Sequence, residues 1–320
     1  MTSCPTINSS ETLPIALELQ EQGFCRMHPS EELKSLIKGF FYDICKYALI
    51  VYDDASEQLT NSPLRQGLAK AIDEDDSLLA SHCLNLILMD IAKIDRSLLA
   101  YIYDMGTRPS KFDSARLLAG SNDIRSINNA FFEAKKVKDN SPILSRTSDP
   151  LVVMPYNGET LHLFPPGDQE YRNNLPIHQD FPYLLQSQSQ ITYWLNLSNS
   201  AAHYNGGIRL YRGTHLYQLP MTTTDDLGRF EVYGIPGQDA KSVMEAHEFV
   251  DSESTLFELY AVDSLLWHQS LRSEAQDSVR MTYIFRFSDL NTPSRLPFGV
   301  DTSKGDSFKD HFSDLYLESQ

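Results

Sequence analysis

Cysteine is scarce in these 320 residues: Cys4, Cys25, Cys45 and Cys83 are the complete set, and no two stand in CxxC spacing. With no basic-then-apolar opening segment either, they read as reduced thiols of a cytoplasmic protein and not as a disulfide framework. No run of about eighteen apolar residues occurs, so no membrane span is expected. Positive charge is also in short supply. The 27 basic residues face 43 acidic ones, for a formal charge of −16, which argues against nucleic acid or an anionic bilayer as a general partner. Internal repeats, low-complexity tracts and a long Pro/Gly/Ser linker are missing as well. The chain is therefore read as one domain over residues 1–320, with a helical bundle plus a separate β domain as the alternative division.

What is present comes in two textures. From about Leu13 to Val137 apolar residues recur at helical spacing, as in Leu33, Leu36, Ile37, Phe40, Phe41, Ile44 and in Leu78, Leu79, Leu84, Ile87, Leu88, Ile91. Gly23 to Met27 interrupts this half as a short extended run, and Pro29-Ser30-Glu31-Glu32 looks like the capped start of a long helix. From about 150 to 290 the pattern changes to short runs rich in β-branched and aromatic residues. The expected strands are Leu151–Pro155, Thr160–Phe164, Ile191–Leu197, Gly207–Arg212, Phe230–Ile235, Thr255–Tyr260, Ser264–Trp267 and Val279–Phe287. Strands without long helices between them pair antiparallel, because parallel neighbours need crossover connections. The fold class this implies is mainly β with helical support, a jelly roll flanked by N-terminal helices.

His178 and Asp180 are two residues apart, and in extended chain such side chains leave the same face. His268 follows the apolar run Ser264–Trp267 and is expected at the end of a strand. Two imidazoles and one carboxylate on one face of an octahedron leave three positions open, the arrangement non-haem Fe(II) uses. The same set could hold Zn(II) with a bound water and hydrolyse a substrate, or survive in a non-catalytic β-barrel binding protein. Arg280 separates these readings. It opens Val279–Phe287, where Arg280, Thr282, Ile284 and Arg286 share one face and Met281, Tyr283, Phe285 and Phe287 the other. An interior arginine calls for an anionic partner, and a planar guanidinium suits the carboxylate of 2-oxoglutarate.

In this order the motifs resemble the phytanoyl-CoA dioxygenase family of Fe(II)/2-oxoglutarate oxygenases. The likeness runs through His178-Gln179-Asp180, the strand Ile191-Thr192-Tyr193-Trp194-Leu195-Asn196-Leu197, the glycine, strand and Gly-Thr-His turn from Asn205 to His215, Trp267-His268-Gln269-Ser270, and Ser278-Val279-Arg280. It implies a double-stranded β-helix, Fe(II) on His178, Asp180 and His268, 2-oxoglutarate on Arg280 with Ser270 assisting, Trp194 lining the cosubstrate pocket, and O2 as oxidant. His215 then belongs to a turn, while His162 lies on a strand where relatives place cosubstrate contacts. One departure is the interval from His268 to Arg280, twelve residues where relatives commonly show eleven. Asp180, standing where halogenating relatives have Gly or Ala, implies oxidation of a C–H bond by hydroxylation, desaturation or ring closure. The expected partner is a small-molecule substrate of specialised biosynthesis, with the chain a monomer or homodimer. Arg172, Arg209 and Arg286 suggest that the substrate is an anionic or amino-acid-derived metabolite, and the segment Tyr217–His247 is a candidate lid or a plain hairpin excursion.

Overall fold

The computed structural model describes residues 9–55, 62–102, 112–138, 152–154, 159–164, 177–180, 189–199, 205–216, 222–224, 232–234, 245–273 and 278–289. Helix α1 (Ser9–Gln22) ends at Gly23, whose φ of +84° turns the chain into β1 (Phe24–Arg26). Ser30 then caps α2 (Glu31–Ala55) by accepting the Leu33 amide at 3.1 Å, and Glu31 and Glu32 sit in the first turn, where the helix dipole favours negative charge. Ser62 and Asp76 cap α3 (Pro63–Asp73) and α4 (Ser77–Ile94) in the same way. After a 3-10 turn at Arg96–Leu98 and helical residues 99–102, helices α5 (Asp113–Ala119) and α6 (Asn122–Lys138) follow.

Helix α4 departs from the expectation in two respects. By length and composition it qualifies as a membrane span, although its buried residues Ala80, Leu84, Ile87, Leu88 and Ile91 form a stripe at helical spacing that packs within the core. Leu78 and Leu79, counted above with that stripe, are exposed because they fall off its face.

The strands are β2 (Val152–Val153), β3 (Glu159–Phe164), β4 (Gln190–Asn196), β5 (Asn205–Tyr211), β6 (Thr222–Thr224), β7 (Val232–Gly234), β8 (Phe249–Asp251), β9 (Leu259–Asp263), β10 (His268–Ser273) and β11 (Arg280–Asp289). The larger sheet runs β1-β9-β4-β11-β2, with β3 also paired to β11. The smaller runs β10-β5-β8, and the segment at His178 joins it through a bridge to His268. All these pairings are antiparallel. Taken along the chain, β3, the His178 segment, β4 and β5 alternate between the sheets; β8 pairs back on β5, and β9, β10 and β11 alternate again. That is the winding of a double-stranded β-helix, or jelly roll.

Two stretches expected as strands are not. Thr255–Glu258 forms a turn, with Phe257 at φ +66°, and the strand begins only at Leu259. Ser264–Trp267 is also a turn, because the Asp263 side chain accepts the Leu265 amide at 3.0 Å and its carbonyl accepts the Leu266 amide. The run is apolar because Leu266 and Trp267 are buried, not because it is extended. His268 consequently opens a strand instead of ending one. Within Tyr217–His247 the described residues include a β6–β7 hairpin.

Alternation along the strands creates two cores. Leu161, Tyr193, Leu195, Ala261, Met281, Tyr283 and Phe285 face the helices and join Ile37, Phe40, Phe41, Leu84 and Phe131 in one cluster. Phe24, Trp194, Ile208, Leu210, Tyr260, Val262 and Leu266 form the second, between the two sheets.

Candidate metal centre

His178 and His268 exchange backbone hydrogen bonds of 2.9 and 3.0 Å, which sets their side chains beside each other with ring centroids 4.2 Å apart. Asp180 completes the group: its Oδ1 lies 3.9 Å from His178 Nε2 and 3.6 Å from His268 Nε2. One ligand atom from each of the three residues lies within 4.8 Å of the other two. His268 Nδ1 is 3.0 Å from the Leu266 carbonyl. A carbonyl only accepts, so Nδ1 carries the proton and Nε2 offers its lone pair to the shared point. Between His178 and Asp180, the buried Gln179 donates from Nε2 to the Leu265 carbonyl and ties their segment to the turn before His268. The turn is held from its other side by Thr214, whose hydroxyl accepts the Trp267 amide at 3.0 Å.

Asp180 Oδ2 accepts from the Thr192 hydroxyl at 2.8 Å and from Arg286 Nε at 3.2 Å. Burial on its own would raise the carboxyl, but Arg286, then His268 and His178, and the Thr192 hydroxyl outweigh it. The group is held well below the usual carboxylate range.

Arg280 faces the space between the sheets, on the same side of β11 as Arg286, and is 5 % exposed. Its NH1 donates to the Gly207 and Leu271 carbonyls, both at 3.3 Å. These acceptors orient the guanidinium, and burial lowers its pKa to about 10. Ser270 is two residues past His268 on the same face of β10, opposite Ile208 on β5. Trp194 lies opposite both Tyr260 and Ile284 in the larger sheet and is buried in the inner cluster. His162 pairs with Thr282 across β3 and β11. It keeps some accessible surface, yet burial and the charges of Arg286 and Arg280, opposed by Asp180, push its pKa down to about 3, so the ring is neutral. His215 sits in the 3-10 turn Thr214–Leu216, where its Nε2 meets the Gln20 carbonyl of α1 at 3.0 Å.

Comparison with known proteins gives a likeness in structure alone. No protein-family model and no curated protein matches the chain. Among solved structures it is similar to EctD from S. alaskensis with 2-oxoglutarate and 5-hydroxyectoine, at 12% identity and a TM-score of 0.47, covering 94% of this chain and 83% of that one. It is similar also to the non-heme alpha ketoglutarate dependent carbocyclase SnoK from nogalamycin biosynthesis, at 14% identity and a TM-score of 0.47, covering 99% and 98%. A third is the non-heme monooxygenase ThoJ, at 15% identity and a TM-score of 0.44, covering 90% and 85%. Likenesses this distant leave the site to be read from its own geometry.

That geometry bears on the arginines that suggested an anionic substrate. Arg209 alternates with Ile208 and Leu210, which point inward, so it points outward. There it pairs with Asp251 at 2.6 and 2.8 Å and lies 3.9 Å over the Phe249 ring. Arg286 is engaged with Asp180 instead of facing a substrate, and Arg172 lies outside the described residues. Sequence reading passed over Thr192, Gln179 and Thr214. Only Thr192 carried a signal, standing two residues before Trp194 and therefore on the same inward face.

Proposed function

We propose that this chain is a non-haem Fe(II) and 2-oxoglutarate-dependent oxygenase acting on an unactivated C–H bond of a small molecule. The carrying observation is the convergence of His178, Asp180 and His268, with the buried Arg280 guanidinium facing the same inter-sheet space and held by uncharged carbonyls. The donor set fits the ion: two imidazole nitrogens and one carboxylate oxygen suit Fe(II), and the His268 proton is already committed away from it. Bound there, iron with 2-oxoglutarate and O2 supplies oxidation of the C–H bond, with 2-oxoglutarate leaving as succinate and CO2.

The remaining work belongs to the chain. His178, Asp180 and His268 hold the ion. Arg280 pairs with the far carboxylate of the cosubstrate through its planar guanidinium, and Ser270 adds a hydroxyl on the same inner face. Trp194, Ile284 and Tyr260 form an apolar wall that keeps water away from that pair. A zinc hydrolase would have no use for a carboxylate anchor in the form of a buried arginine there.

The test is to load the metal-free full chain with Fe(II) under nitrogen, admit O2, and follow 2-oxoglutarate consumption and succinate release with and without candidate small molecules. Equal amounts of both, lost on replacing Fe(II) with Zn(II), are expected. Purified protein that carries zinc, hydrolyses esters or amides and leaves 2-oxoglutarate untouched would overturn the reading.

A further inference from the structure

Asp180 uses its two oxygens differently. Oδ1 faces the two imidazoles, while Oδ2 is taken by Thr192 and Arg286. We infer that Thr192 and Arg286 are positioning residues, a two-donor latch that confines Asp180 to one-oxygen ligation. The inference rests on the proposed metal reading and goes beyond it.

The latch is built into sheet register and not into a loop. Thr192 on β4 and Arg286 on β11 are direct cross-strand partners, so their side chains leave the sheet side by side and meet the same oxygen. All three groups are largely buried, with side-chain exposures of 13% for Arg286 and 8% for Asp180. Hydrogen bonds to an ionised acceptor are strong in such surroundings. An unrestrained carboxylate can swing and offer both oxygens to an ion. With two imidazoles, that would leave a six-coordinate metal only two further positions. One-oxygen ligation leaves three: two for a chelating α-keto acid and one for O2. The arrangement also accounts for an inward arginine that no substrate anion is needed to explain.

The experiment uses the metal-free full chain titrated with Co(II) and followed by visible absorption, whose band positions and intensity report coordination number, with no cosubstrate and no turnover involved. Thr192→Val and Arg286→Gln should each weaken Co(II) binding roughly 10- to 100-fold and alter the bands. Thr192→Ser, which keeps the hydroxyl, should restore both. Circular dichroism checks the fold, and if Arg286→Gln does not fold, the Thr192→Val and Thr192→Ser pair decides alone. Wild-type affinity and an unchanged spectrum in folded Thr192→Val would overturn the latch and leave the metal reading standing. A wild-type chain that binds no Co(II) and no Fe(II) would overturn both.

Discussion

The two faces of β11 do different work with the same ten residues. Met281, Tyr283 and Phe285 sink beneath the helices, where Tyr283 lies 4.6 Å from Phe40 and Phe285 stacks on Tyr193 at 4.9 Å between centroids. Arg280, Thr282, Ile284 and Arg286 look between the sheets, toward His162, Trp194 and Asp180. The helix-side face is chosen by volume and shape, because close-packed aromatic rings tolerate little change. The inner face is chosen by charge, and two arginines on one strand are tolerable there only with acceptors or ligands to meet them. Strand alternation thus separates stability from chemistry at single-residue resolution, and substitutions on the two sides should fail in different assays.

The largest expected effect is on the packing side. Phe285→Ala should lower unfolding stability by roughly 3 to 5 kcal/mol, measured by urea titration, while the fraction still folded binds 2-oxoglutarate as the wild type does. A comparable loss of cosubstrate affinity would show that the two faces are not independent. On the inner side Arg280→Gln should do the reverse. It should cost roughly 2 to 5 kcal/mol of cosubstrate binding, read by titrating the Fe(II)-loaded chain with 2-oxoglutarate under nitrogen, and leave the urea midpoint unchanged or slightly higher once a buried cation is gone. Normal cosubstrate affinity would move the anchor elsewhere, and Arg286, already engaged with Asp180, would be a poor replacement.

Much of this division can be read in the sequence, because period-two alternation depends on nothing but the backbone. It puts Arg280 and Arg286 on one face and Tyr283 and Phe285 on the other. The His-x-Asp spacing is legible for the same reason. What alternation cannot supply is which face is inside. The outward direction of Arg209 follows only from the packing of Ile208 and Leu210 in the inner cluster. Ser264–Trp267 misled for another reason: burial demands apolar residues whether the backbone is extended or turned, and the Asp263 turn carries no hydrophobic signal. That Thr192 and Arg286 meet at Asp180 Oδ2 is not legible there, because it depends on the register between β4 and β11, which joins residues 94 positions apart.

The smallest effect concerns the acids bonded to the two faces, which are expected to titrate in opposite senses. Asp180, on the inner side, is held ionised by Arg286 and the imidazoles. Glu159 pairs in register with Phe285 and accepts from the Tyr283 hydroxyl under the helices; burial there pushes its carboxyl from 4.5 up to about 7, with the Tyr283 hydrogen bond pulling the other way. A raised carboxyl means that the folded chain keeps a proton the unfolded chain gives up. Its stabilising contribution is complete below about pH 4.5, falls as pH rises, and is gone above about 7. Glu159→Gln keeps an acceptor for Tyr283 and never ionises. It should therefore match the wild type in urea at pH 4.5 and exceed it at pH 8 by on the order of 2 kcal/mol. If the variant gains nothing at pH 8, the carboxyl ionises there without penalty, and the helix-side face is less hostile to charge than its aromatic packing implies.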